Sequence, residues 1–112
     1  MGEKTNEIYV DEEHGVLTRE DIEVACTKVF EKYDVKFAYL FGSYAKGKAT
    51  PTSDVDLLVC TEVLGLRFYG LVEELRNELH KKVDVLDMNQ LNGNIQLTEE
   101  ILKDGVKIYT IS

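Results

Sequence analysis

Apolar residues recur along this chain at spacings that switch between a helical and a strand period. Ile22, Ala25, Cys26, Val29, Phe30 and Tyr33 lie three and four positions apart and predict an amphipathic helix from about Arg19 to Tyr33. Thr18 and Asp21 in front of it form a capping box with the shorter acid. Val35 to Phe41 is a compact aromatic and apolar run, predicting a central strand that ends at Gly42-Ser43. Tyr44 to Ser53 is small, polar and basic, with Gly47 and Pro51, and predicts a loop holding at most one helical turn. Asp54 to Cys60 predicts a second strand. Phe68, Leu71, Val72, Leu75 and Leu79 then mark a helix from about Leu66 to His80, with His80, Lys81 and Lys82 as cations at its C-terminus. Val83 to Leu86 predicts a short strand. Thr98 to Asp104 predicts a helix capped by Thr98 and stopped by Gly105, and Val106 to Ile111 the last strand. Residues 1–15 form a polar arm in this reading, with a short strand at Ile8-Tyr9-Val10. The order α-β-β-α-β-α-β implies one α+β domain over 16–112, a mixed β-sheet with helices packed on it.

Composition narrows the function. A chain of 112 residues, 44% hydrophobic and 30% charged, suits a single globular domain. Thirteen Lys and Arg against 21 Asp and Glu give a net charge of −8. The basic footprint of sequence-independent nucleic-acid binding is missing, so no direct contact with DNA or RNA is expected. An anionic ligand has to be received by a local cation or by oriented backbone N–H groups. No apolar run approaches the roughly 18 residues of a membrane span. The first residues lack a signal peptide's apolar region, and Asn6 stands where a myristoylation signal needs Ser or Thr. A cytoplasmic location is expected. Cys26 and Cys60 read as small buried hydrophobes in a reducing compartment, and His14 and His80 carry no functional role in this reading.

The chemistry gathers between Gly42 and Asp84. Asp54 and Asp56 flank Val55, so a strand puts both carboxylates on one face, about 6.7 Å apart, while Val55 turns to the core. At an effective dielectric near 20 such charges repel by about 2.5 kcal/mol, a cost relieved by a cation between them or by splaying into water. Hard oxygen ligands at a strand end suit Mg²⁺, which completes its shell with water and substrate phosphates. Gly42-Ser43 after a strand lets the backbone approach a ligand and opens an anion cradle of N–H groups, although Gly-Ser is also ordinary turn chemistry. Asp84, between Val83 and Val85, either faces water on an edge strand or joins Asp54 and Asp56 if the two strands are neighbours. Three converging carboxylates allow two metals and a proton acceptor. Asp87 is a weaker candidate for the same part, because the strand is ending there. Gly42 to Lys48 also fits the Gly-x4-Gly-Lys of a P-loop. Ala49 replaces the Ser or Thr that holds Mg²⁺, however, and Pro51 follows where a long helix should begin.

The segments Leu40-Phe41-Gly42-Ser43-Tyr44-Ala45-Lys46-Gly47 and Ser53-Asp54-Val55-Asp56-Leu57 closely resemble the signature of the DNA polymerase β-like nucleotidyltransferases, above all the single-domain minimal nucleotidyltransferases. The resemblance runs from about Val35 to the C-terminus. It departs at Lys46, where the family usually has Arg and its bidentate fork. It implies a nucleotidyltransferase fold like the polymerase β palm. Gly42, Ser43 and Lys46 would bind the nucleotide phosphates, and Asp54, Asp56 and Asp84 would hold two Mg²⁺ ions and carry catalysis. The implied reaction is in-line attack on the α-phosphate of a nucleoside triphosphate, ATP in the leading reading.

The minimal branch is found with a small helical HEPN protein, an RNase toxin that it neutralises and, in known cases, adenylylates on tyrosine. The resemblance therefore implies an antitoxin that modifies a cognate HEPN toxin and forms a hetero-oligomer with it. An acidic antitoxin suits a basic RNA-binding partner, and Tyr9, Tyr44 and Phe68-Tyr69 are candidate contacts outside the core stripes. Two alternatives remain open at this point: a non-catalytic nucleotide-binding module, and an enzyme that modifies a small molecule such as an antibiotic.

Overall fold

The computed structural model describes residues 15–111. The remainder of the predicted arm, with Ile8-Tyr9-Val10 and His14, lies outside them. The chain order is α1 (Arg19–Lys32), β1 (Phe37–Phe41), α2 (Gly42–Lys46), β2 (Val55–Cys60), α3 (Leu66–Leu79), β3 (Val83–Asp87), a 3-10 turn (Met88–Leu91), α4 (Ile95–Asp104) and β4 (Val106–Thr110).

The four strands form one mixed sheet in the order β3-β2-β1-β4. β1 is antiparallel to β2 and β4, and β2 is parallel to β3. The expectation of a central strand at β1 is met, because β1 carries the most apolar run and both its edges are paired. A β-bulge between Ala38 and Tyr39 shifts the β4 register.

Strand alternation sorts the core into two layers. Ala38, Leu40, Val55, Leu57, Val59, Val83 and Ile108 face α1 and α3, whose buried stripes are Ile22, Cys26, Val29, Phe30 and Leu71, Leu75, Leu79. Phe41 and Leu58 face the other way, against Ile101 of α4. The layer against α1 and α3 holds most of the buried residues, and the α4 layer is the thinner one.

The predicted capping box forms: Asp21 N–H donates to the Thr18 hydroxyl and Thr18 N–H donates to the Asp21 carboxylate. Other expectations shift. α4 begins at Ile95, capped by the Asn94 side chain accepting from Leu97 N–H, while Thr98 sits inside and donates its hydroxyl to Asn94 O. Asn outranks an internal Thr because its side-chain oxygen reaches an otherwise unpartnered N–H. His80 is the left-handed C-cap of α3 (φ 56°). Lys81 is buried rather than solvated at the helix end, and its ammonium donates to Gly15 O at 2.9 Å and Pro51 O at 2.8 Å. Tyr44 is also buried, its phenolic oxygen accepting from Leu17 N–H, which removes it from the candidate contact surface. Phe68 packs against the core and Tyr69 stays exposed. Among the described residues no helix is long and apolar enough to cross a membrane.

Candidate active site

β1 and β2 meet at the start of the site, where Phe41 and Asp56 are register partners. The next residue, Gly42, turns with φ 74°, in the left-handed region that favours glycine. A Cβ here would overlap Asp56 Oδ2 and stand 3.1 Å from Asp56 Cγ. The Gly42 backbone therefore lies against the Asp56 carboxylate as no side-chain-bearing residue allows. α2 starts from this contact with Ser43 in its first turn, and Gly47 (φ 73°) closes it by donating its N–H to Ser43 O. Lys48 N–H donates to the same oxygen at 2.9 Å. The sequence reading expected at most one helical turn; the chain forms a five-residue helix beginning at Gly42 itself.

Asp54 is half-buried in the approach to β2. A tight turn precedes it: Thr50 N–H donates to Ser53 Oγ at 2.8 Å, and Ser53 N–H returns a bond to Thr50 O at 2.9 Å. Lys81 grips that turn through Pro51 O, and Val55 N–H donates to Lys82 O at 2.9 Å. Ser53 and Lys81 thus fix the backbone that aims Asp54 and Asp56. The sequence signal for Ser53 was its place in the motif; for Lys81 there was none beyond its helix-end position.

Asp84 is the direct register partner of Asp56 across the parallel β2–β3 pair. Adjacent strands lie about 4.8 Å apart, and paired residues share a face. Asp84 is exposed, being near the start of an edge strand. The two readings offered by the sequence, an edge-strand acid and an acid beside Asp56, both describe it. Asp87 does neither job. It is buried at the other end of β3, and its carboxylate accepts from Asn89 N–H to cap the 3-10 turn.

Burial pushes the Asp56 carboxyl up to about 6, aided by the charges of Asp84, Asp54 and Glu100 and by a side-chain hydrogen bond with Asp84. Every one of these influences opposes ionisation. The acids form a patch of unrelieved negative charge, a donor set that fits a hard divalent cation. Among the described residues no group of three or more His, Cys, Asp and Glu closes into a ready cage for an ion.

Lys46, the last residue of α2, points its ammonium to Glu100 of α4 at 3.5 Å. Glu100 was absent from the sequence reading, since an acid on an amphipathic helix carries no motif.

The Polymerase beta, Nucleotidyltransferase family model matches residues 25–112. The protein adenylyltransferase MntA of Thermococcus cleftensis is 36% identical over 99 residues, 83% of this chain and 98% of its own. Among solved structures, a toxin–antitoxin complex with AMP-PNP contains a chain that superposes with a TM-score of 0.66 at 22% identity, covering 86% of this chain and 76% of that one. A complex of tri-AMPylated Shewanella oneidensis HEPN toxin with MNT antitoxin gives 0.63 at 19% identity, over 84% and 74% of the two chains. These last two likenesses are of fold. With nearly four-fifths of its residues inside the family match, and a relative spanned almost end to end, this chain belongs to the polymerase β nucleotidyltransferase family.

Proposed function

We propose that this protein is a Mg²⁺-dependent protein adenylyltransferase that moves AMP from ATP to a tyrosine hydroxyl of a cognate HEPN-type RNase toxin, and acts as its antitoxin. The observation that carries this reading is the Gly42 backbone pressed on Asp56, with Asp84 in register beside it. It brings the head of the Gly-Ser turn against the acids, as a triphosphate bridging N–H donors and metal requires. The MntA relative and the AMPylated toxin complex support the adenylyl group and a HEPN toxin as acceptor, and the family resemblance supplies the tyrosine.

In this reading Asp54, Asp56 and Asp84 would hold Mg²⁺, two ions with the nucleotide, which would supply positive charge for the reacting phosphates and the departing pyrophosphate. Gly42 and Ser43 receive the β- and γ-phosphates on backbone N–H groups and the Ser43 hydroxyl, with Lys46 adding positive charge. Asp84, at the solvent-facing edge, accepts the proton of the tyrosine hydroxyl. The phenolic oxygen bonds to the α-phosphorus, the bond to the β-phosphate oxygen breaks, and pyrophosphate leaves with that electron pair. A cytoplasmic setting accords with the free thiols of Cys26 and Cys60.

The test is incubation with labelled ATP, Mg²⁺ and a candidate HEPN-type partner protein. Covalent adenylyl label on a partner tyrosine, lost in Asp56→Asn, is expected. Neutralisation of the toxin that survives Asp56→Asn without any label replaces the enzyme by a binding module. Label on an aminoglycoside with no partner present moves the acceptor to a small molecule.

A further inference from the structure

Lys46 closes the five-residue helix that opens at Gly42 against Asp56, yet its ammonium pairs with an acid outside the three aspartates. Its ammonium lies 3.5 Å from Glu100 Oε2, across the seam between α2 and α4. Among the described residues, no Lys, Arg or His forms an ion pair with Asp54, Asp56 or Asp84. Both partners of the Lys46–Glu100 pair are partly exposed, so the pair is a weak contributor to stability. Its location one helical turn from the Gly42–Asp56 contact is the feature to be explained.

A lysine ammonium is a point charge on a flexible four-carbon stem, without the planar fork that fixes an arginine in place. Its resting position is set by whichever carboxylate holds it. Without Glu100, the next acids for the Lys46 ammonium are those against which the same short helix begins, one turn away. An ammonium lodged there neutralises the carboxylates and occupies the space a divalent cation needs.

We infer that Glu100 is a positioning residue that acts through Lys46: it parks the ammonium on the α4 side, keeping the aspartates open to metal and the lysine ready for an arriving phosphate. This rests on the metal-site reading of Asp54, Asp56 and Asp84. It explains how this chain uses lysine at a position where arginine would be held by its own geometry.

Mn²⁺ affinity, measured by calorimetry without nucleotide, separates this role from plain electrostatics. Glu100→Gln and Lys46→Met each alter a partly exposed side chain, and circular dichroism verifies their folding. Parking predicts that Glu100→Gln weakens Mn²⁺ binding by about tenfold in the native background but by no more than about threefold in the Lys46→Met background. A direct charge effect predicts the reverse ranking, because Glu100 without its lysine acts on the metal at full strength. Equal losses in the two backgrounds, or a larger loss in the Lys46→Met background, overturn the inference. Asp56→Asn is the control for the underlying site. If it abolishes Mn²⁺ binding, the metal reading stands whatever Glu100 does. If the native protein binds no Mn²⁺ at millimolar concentration, both readings fall.

Discussion

Gly42 and Asp56 each have a reason to be the residue they are, and each reason yields a measurable effect. At Gly42 a methyl group meets the Asp56 carboxylate in a backbone conformation with φ 74°. Gly42→Ala is expected to cost about 1–3 kcal/mol of stability, read by urea unfolding, and to remove adenylyl transfer by displacing Asp56. At Asp56 the folded carboxyl titrates near 6, above its ordinary 3.8. The folded state therefore binds more protons than the unfolded chain between these values, and stability falls as pH rises through that window. Allowing for solvent screening at a half-buried group, the loss is about 1 kcal/mol. Asp56→Asn should accordingly melt above the native protein at pH 7.5, with the gap closing as the pH approaches 4. Mg²⁺ should raise the melting temperature of the native protein at pH 7.5 and leave Asp56→Asn unmoved. Cys26 is a contrasting case: burial pushes its thiol up to about 12, so thiol reagents should spare it until the protein unfolds.

Elements built from long, regular patterns were the most legible in the sequence. α1 and α3 follow their apolar stripes to within a residue, because fourteen-residue helices average over local irregularities. Short elements were decided by individual bonds that no periodicity encodes. The start of α4 was misplaced because Thr98 looks like a cap, while Asn94 accepts the Leu97 N–H. Asn94→Ala is expected to lose about 1 kcal/mol by thermal unfolding, and Thr98→Ala clearly less. Lys81 was equally hidden: a buried ammonium tying Gly15 and Pro51 is a tertiary fact with no local signature. Lys81→Met should destabilise by about 1–3 kcal/mol, since it removes the two hydrogen bonds that the buried ammonium donates to Gly15 O and Pro51 O. It should also raise hydrogen exchange at Ser53 and Asp54 before it raises exchange in β1.

For the molecule as a whole, the motif supplied what the pattern of elements lacked. Gly42-Ser43 and Asp54-Val55-Asp56 were readable because close approach and charge each demand particular residue types. The pairing of β3 beside β2, which brings Asp84 to Asp56, had to come from the three-dimensional sheet order. Net charge belongs to this scale too. With −8 on the chain, capture of a basic partner should slow as ionic strength rises, observable by stopped flow, while dissociation changes little.

Among the described residues β3 forms one margin of the sheet, and Asp84 is exposed there. A bulky macromolecule can bring a hydroxyl to that flank without any door having to open. On the proposed reaction such strands would be undiscriminating toward the acceptor, and fidelity would pass to whichever surface docks the incoming protein and steers one chosen side chain onto β3.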